Sequence, residues 1–310
     1  MKFFKLIRWV NISIVILSMS LVLLFVISPL LDMDWFQYGL CPGQFMLLVS
    51  ATIFIAIAGN ILNDIYDINA DGVNKPGGNI VGRKISLSTA WTLYWIFTIG
   101  GILLGTFLSH LVNQINYGLI FLFSSGLLWF YSQKYQCQPL IGNIVVSALS
   151  ALSFGLVWLF QFFALSNEAE VFASVQTNFG LINRMVLIYM AFAFVTSFLR
   201  EIVKDIQDYK GDERFGCRTF AVVYGFAKAK RLLLVISYLF FVGFAAAQFY
   251  FLQLGYNFHF WYFMIIDILL GEMIRRIHIA REPKDFSNIS MLIKLTMLSG
   301  ILSMAIFYFY

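Results

Sequence analysis

Two short stretches of this 310-residue chain carry carboxylates at a spacing that suits metal chemistry. The first reads Gly59-Asn-Ile-Leu-Asn-Asp-Ile-Tyr-Asp-Ile-Asn-Ala-Asp71. The second reads Arg200-Glu-Ile-Val-Lys-Asp-Ile-Gln-Asp-Tyr-Lys-Gly-Asp212. Asn60, Asp64, Asp67 and Asp71 follow one another in steps of 4, 3 and 4, and so do Glu201, Asp205, Asp208 and Asp212. On a helix advancing about 100° per residue, each set stays within roughly 60° of arc. Each is therefore predicted to form one polar stripe on one helix face. Carboxylates three or four residues apart repel one another, and a membrane boundary adds a desolvation cost. A hard divalent cation offsets both. Mg²⁺ binds through one or two carboxylates and keeps positions free for substrate phosphate oxygens. Two stripes offer two such sites, and a diphosphate bridging two Mg²⁺ ions is the simplest ligand that fits. The spacing is not that of an EF-hand loop. A merely solvated helix end accounts for one stripe, but poorly for two with identical spacing.

The elements that must carry these stripes follow from composition. The chain is 60% hydrophobic and 12% charged, against about 25% charged in ordinary soluble domains. A soluble fold, a disordered chain, a collagen-like chain and a small disulfide scaffold are all excluded. The expected fold class is an all-α integral membrane protein. Apolar runs of spanning length lie near 9–31, 44–64, 88–110, 114–132, 139–163, 184–204, 229–254, 258–277 and 289–310, which makes about nine transmembrane helices. With the N-terminus inside, every one of the 21 Lys and Arg residues except Arg184 falls on the cytoplasmic side, as the positive-inside rule requires. The stripes are four spans apart, so both approach the cytoplasmic surface, as in a parallel internal repeat. If the chain is prokaryotic, this is the cytoplasmic membrane.

Other residue types point to less. Cys41, Cys137 and Cys217 are odd in number and form no C-x-x-C pair, so they read as isolated apolar residues with neither disulfide nor zinc site. His110, His259 and His278 are scattered. No basic stripe on a soluble module suggests nucleic acid, and nothing calls for a partner protein.

The motifs Asn63-Asp64-Ile-Tyr-Asp67-Ile-Asn-Ala-Asp71 and Asp205-Ile-Gln-Asp208-Tyr-Lys-Gly-Asp212 resemble the N-D-x-x-D-x-x-x-D and D-x-x-D-x-x-x-D signatures of the UbiA family of intramembrane prenyltransferases. The surroundings of the second motif look most like the branch of geranylgeranylglyceryl phosphate geranylgeranyltransferases, as do Tyr131-Ser-Gln-Lys134 and Pro139-Leu-Ile-Gly-Asn143. Where that branch commonly has Arg-Pro after the first motif, this chain has Gly78 and Asn79. The resemblance implies a single transmembrane domain over 1–310, a helix bundle around a central cavity opening on the cytoplasmic side. It further implies Mg²⁺-dependent transfer of a polyprenyl group from its diphosphate to a lipophilic acceptor, as in ether-lipid synthesis. Asp64, Asp67 and Asp71 would hold one Mg²⁺, and Asp205, Asp208 and Asp212 the other. Asn60, Asn63, Lys75, Arg83, Tyr131, Lys134, Asn143 and Glu201 are the candidate substrate-binding residues, with Lys84 a weaker one. Tyr66 and Phe154 are candidate cavity aromatics for an allylic cation. Arg8 and Asn11 open the first span at the same side. Asn143, Ser147 and Ser150 are read either as helix-knitting polar residues or as an acceptor-facing stripe. The long inner loops near 72–87 and 209–228 are expected to cap the diphosphate. An aromatic acceptor of the quinone or porphyrin type shares the same metal site and differs only in the acceptor pocket. A divalent-cation transporter would need acids along a midplane path, where only Asp267 lies deep.

Overall fold

The computed structural model describes residues 2–34, 36–68 and 80–310. Among them no strand forms, and only one isolated bridge pairs Val81 with Ile85. The long helices are α1 (Trp9–Leu30), α2 (Pro42–Tyr66), α3 (Leu87–Leu111), α4 (Leu119–Gln133), α5 (Ile141–Ser166), α6 (Phe179–Gln207), α7 (Phe226–Gln253), α8 (Asn257–Ile279) and α9 (Phe286–Leu302). Among the described residues, eight helical stretches are long and apolar enough to cross a membrane. The eighth expected span falls on α8, which has 23 residues. Its Asn257, His259, Asp267, Glu272, Arg275 and Arg276 set it apart from the other eight. Outward faces stay apolar: Leu239 on α7 is 68% exposed and Ile268 on α8 is 71% exposed. In water that would be a liability; against lipid tails it is the matched surface.

The chain divides into two compact units, Met1–Lys134 with Leu152–Val186, and Tyr135–Ala151 with Leu187–Tyr310. In the first unit a short helix, Lys2–Leu6, precedes α1. The break between them is Arg8, whose backbone is left-handed (φ 52°, ψ 55°). Further along, α1 contains a π-helical stretch, Val22–Ile27. It lies just ahead of Pro29, which lacks the N–H that a regular turn would use, and the Ser28 hydroxyl donates to the Leu23 carbonyl at 2.9 Å. Pro42 opens α2 at a position where its missing N–H costs nothing. Gln44 accepts from the Cys41 N–H at 3.1 Å to complete that cap. α2 packs closely on α3 because Gly101 presents no side chain: a Cβ there would lie 2.8 Å from Ile55 Cγ1 and 3.2 Å from the Ala51 carbonyl. Small residues at such crossings let backbones approach when lipid offers no hydrophobic drive. α3 is capped by Ser86, whose Oγ accepts from the Thr89 N–H at 3.1 Å. The loop before α2 is tied to α5, because Gln161 accepts from the Leu40 N–H and donates to the Tyr38 carbonyl.

In the second unit α7, α8 and α9 follow as consecutive hairpins. Lys230 at the start of α7 donates to the carbonyls of His278 (2.8 Å) and Ala280 (2.7 Å). A cation thus satisfies the last carbonyls of α8, where the helix dipole is negative. The Tyr189 and Ser303 hydroxyls meet at 3.1 Å and join α6 to the end of α9.

Candidate active site

The two carboxylate sets belong to different units, and each has its own local geometry. In the first unit Asn60, Asn63 and Asp64 lie on the last turns of α2. The helix then stops: Tyr66 is its last residue, and Asp67 caps it at φ −87°, ψ 6°. The expected stripe therefore runs on one helix only as far as Asp64. Negative side chains at a helix C-terminus oppose the dipole and repel one another, which accounts for the break. Asp71 and Lys75 lie outside the described residues. The partly buried Asp64 carboxylate receives the Arg8 guanidinium at 2.8 Å. Asn63 donates to the Asp67 carboxylate. Asn60 donates to the Ile7 carbonyl at 3.2 Å, so it fastens α2 to the break before α1. Arg83 and Lys84 are exposed in the turn spanned by the Val81–Ile85 bridge, Tyr131 is half-buried near the end of α4, and Lys134 is exposed just beyond it. Tyr66 is exposed and meets Trp91 edge-on, while Phe154 is buried on α5.

In the second unit α6 breaks at the matching point. Gln207 ends it, and Asp208 takes φ −86°, ψ 3°, within a few degrees of Asp67. Asp212 lies in the short helix Tyr209–Arg214 and its N–H returns to the Asp208 carbonyl at 3.0 Å. The repeat seen in the residue spacing is thus a repeat of backbone. Its compensation differs. Asp205 accepts from the Asn143 amide of α5 at 2.8 Å, a neutral donor where Asp64 has a guanidinium. Glu201 is buried, with Arg200 at 3.5 Å and Lys204 at 3.8 Å. Ser147 donates to the Asn143 carbonyl in its own helix at 2.6 Å.

The cysteine expectation is overturned here. Cys137 and Cys217 form a disulfide that closes an 80-residue separation, and Cys41 remains free and exposed. The Arg218 N–H donates to the Cys137 carbonyl at 3.1 Å, and the Cys217 N–H donates to the Asp212 carbonyl at 2.9 Å. No spacing rule pairs cysteines that far apart. Likewise, the Arg8–Asp64 pair spans 56 positions. A charged residue opening an apolar run was its only signal.

Among the described residues no three His, Cys, Asp or Glu side chains converge as a ready-made metal cage. All-oxygen donors, few per site, suit Mg²⁺, which keeps several waters and fills its octahedron with substrate phosphate. The donor chemistry of both sets fits that ion.

The profile of the UbiA prenyltransferase family matches residues 17–298. The chain belongs to this family. Digeranylgeranylglyceryl phosphate synthase of Methanobrevibacter smithii is 33% identical over 180 residues, 58% of each chain. The match to the synthase of Methanosarcina barkeri is 34% over 203 residues, 64% of this chain and 63% of that one. The chain thus matches about six tenths of the length of these relatives. The synthase of Methanococcoides burtonii is 31% identical over 258 residues, 83% of this chain and 82% of its own. The UbiA fold is also seen in solved structures. A digeranylgeranylglyceryl phosphate synthase in membranes superposes with a TM-score of 0.62 at 23% identity, covering 98% of this chain and 96% of that one. A UbiA homologue from Archaeoglobus fulgidus, bound to DMAPP and Mg²⁺, superposes at 0.55 with 15% identity, over 98% and 99% of the two chains. This UbiA chain is accordingly an all-helical integral membrane protein.

Proposed function

We propose that this protein transfers a polyprenyl group from its diphosphate to a lipophilic acceptor resembling geranylgeranylglyceryl phosphate, with Mg²⁺ as cofactor. The observation that carries this reading is the pair of carboxylate motifs whose helices break at the same residue in the same backbone conformation. The relatives named digeranylgeranylglyceryl phosphate synthase support the acceptor class. Asp64, Asp67 and Asp71 would hold one Mg²⁺ and Asp205, Asp208 and Asp212 a second, which when bound would supply neutralisation of the charge on the departing diphosphate. The C1–O bond of the allylic diphosphate breaks with its electron pair on oxygen. The acceptor hydroxyl attacks C1, and its proton passes to a diphosphate oxygen.

The chain's own residues orient and desolvate. Asn63 holds Asp67, and Asn143 holds Asp205, so each motif keeps a carboxylate in one rotamer before metal arrives. Asn60 keeps α2 against the start of α1. Glu201, paired with Arg200 and Lys204, brings cationic side chains to the turn of helix that carries Asp205. Lys75, Arg83 and Lys134 add positive charge for the diphosphate, and Tyr131 lines the prenyl path. The segments near 72–87 and 209–228 cap the diphosphate, on the cytoplasmic side. No protein nucleophile is required. A membrane-embedded apolar environment protects the allylic cation from water.

The test is transfer by the purified protein with Mg²⁺ and geranylgeranyl diphosphate. Geranylgeranylglyceryl phosphate and a quinone-precursor aromatic acid are offered in separate reactions. A prenylated phosphoglyceride that is lost in Asp64→Ala and Asp208→Ala is the expected result. Product with the aromatic acid alone would refute the acceptor, and transfer unchanged in both variants would refute the metal sites.

A further inference from the structure

We propose that Cys137 and Cys217 are positioning residues: their disulfide holds the second carboxylate set in its metal-binding arrangement, and opening it weakens that set for divalent cations. The inference rests on the reading of Asp205, Asp208 and Asp212 as metal ligands. The support is a closed circuit of contacts within one unit. From Cys137 the chain runs six residues to Asn143, whose amide donates to Asp205 at 2.8 Å. From Asp205 it passes through Asp208 into the short helix of Asp212. The Asp212 carbonyl accepts from the Cys217 N–H at 2.9 Å, and the Arg218 N–H returns to the Cys137 carbonyl at 3.1 Å. The disulfide closes the ring. Both the amide that orients Asp205 and the helix that carries Asp212 therefore hang from the same cross-link.

The entry to α5 has no slack that would let Asn143 keep its place without that anchor. Leu140 is left-handed (φ 64°), and a Cβ on Gly142 would lie 2.6 Å from the Tyr135 carbonyl. The elbow is tight, so movement at Cys137 is passed on to Asn143 rather than absorbed between them. At the other end Phe215 and Gly216 are exposed, and Gly216 has φ 74°. On this side the Cys217 N–H bond to Asp212 and the Arg218 N–H bond to Cys137 flank the cross-link directly. Opening the bond takes two electrons and two protons from a dithiol such as dithiothreitol, which leaves as its cyclic disulfide, with one thiol formed on each cysteine. Partners that orient metal ligands typically change metal affinity by about 10–100-fold when removed, and the lower figure is expected for a cross-link that touches no carboxylate itself.

The experiment measures Mn²⁺ binding to the purified full-length protein in lipid nanodiscs, before and after dithiothreitol. Thiol counting in denaturant is run alongside. One reactive thiol before reduction and three after is the expected count. The affinity of one class of Mn²⁺ site should fall about tenfold on reduction, and the other class should not move. Cys137→Ser should behave as the reduced protein and lose its response to dithiothreitol; Cys41→Ser should keep it. Asn143→Ala should show part of the weakened affinity already and respond less to reduction than the wild type, because the cross-link acts in part through that amide. A merely structural disulfide would not give this non-additivity. Three thiols in the unreduced protein, or equal Mn²⁺ affinity in both redox states, would overturn the proposal. If Cys137→Ser does not fold, reduction of the folded wild type answers the same question. Metal binding is read without transfer, so a failed transfer assay beside a redox-sensitive Mn²⁺ site would count against the function alone.

Discussion

Arg8 gives the sharpest test of how the first carboxylate set is balanced. Its guanidinium lies 2.8 Å from Asp64, with the side chains 36% and 13% exposed, and its backbone is left-handed. A hydrogen bond to a charged group contributes about 1.5–3 kcal/mol. Partial exposure of Arg8 screens this toward about 1–1.5 kcal/mol. The left-handed conformation costs a non-glycine residue roughly 1–2 kcal/mol. Arg8→Ala loses the pair and keeps the strain, whereas Arg8→Gly loses the pair and relieves it. The metal-free stability order should be wild type, then Gly, then Ala, with Gly above Ala by about 1 kcal/mol. At about 2–4 °C per kcal/mol for chains somewhat shorter than this one, thermal unfolding followed by tryptophan fluorescence in nanodiscs with EDTA resolves the series. In an Asp64→Asn background the Arg8→Ala loss should shrink by about 1 kcal/mol. Mn²⁺ must take Asp64 from Arg8, so Arg8→Ala should bind Mn²⁺ more tightly when no diphosphate is present. An Arg8→Ala protein as stable as wild type, a loss undiminished beside Asp64→Asn, or Ala more stable than Gly would each refute the reasoning.

EDTA should abolish transfer and Mg²⁺ restore it, with Asp205→Asn losing at least about 100-fold in kcat/KM in a radiolabel assay. Gly101→Leu should destabilise the first unit by about 1–3 kcal/mol through overpacking against Ile55 and Ala51, read as a lowered Tm. Ser86→Ala should cost about 1 kcal/mol by removing the N-cap of α3, measured in the same way. Lys230→Met should loosen the end of α8, giving faster amide hydrogen exchange from Ile277 to Ala280 with little change elsewhere.

Some of this structure was legible in the residues because the physics acts on single positions. Bilayer thickness and the cost of charge in hydrocarbon turn apolar runs into helices without knowledge of their neighbours, and the helical stretches fall where those runs lie. α8 marks the margin of that reading, because Asp267 and Glu272 dilute its apolar run. The carboxylate spacing was legible as far as the helix persists. Its end at Asp67 and Asp208 was not, because it depends on summing the repulsion of several acids with the dipole of the helix that carries them. The pairs that set the local chemistry were the least legible. Arg8 meets Asp64 across 56 positions, Asn143 meets Asp205 across 62, and Cys137 meets Cys217 across 80. Only the tertiary fold brings such partners together, so the three cysteines, read one by one, suggested no bond at all.

The two motifs are alike in backbone and unlike in charge, and the difference has a physical source. The break at Asp67 and the break at Asp208 are set by residues inside the repeat, so they match. The partners come from outside it: a guanidinium from the kink before α1, an amide from the first turn of α5. A guanidinium cancels the charge of Asp64 and must be displaced before a cation binds there. The amide at Asp205 carries no charge, so no guanidinium has to leave that carboxylate before a cation binds. The second set should therefore fill first as Mg²⁺ rises, and the first set should follow once an anion is present to offset the cation released from Asp64. Under this ordering, residues outside the repeat tune each half separately while the shared backbone stays unchanged.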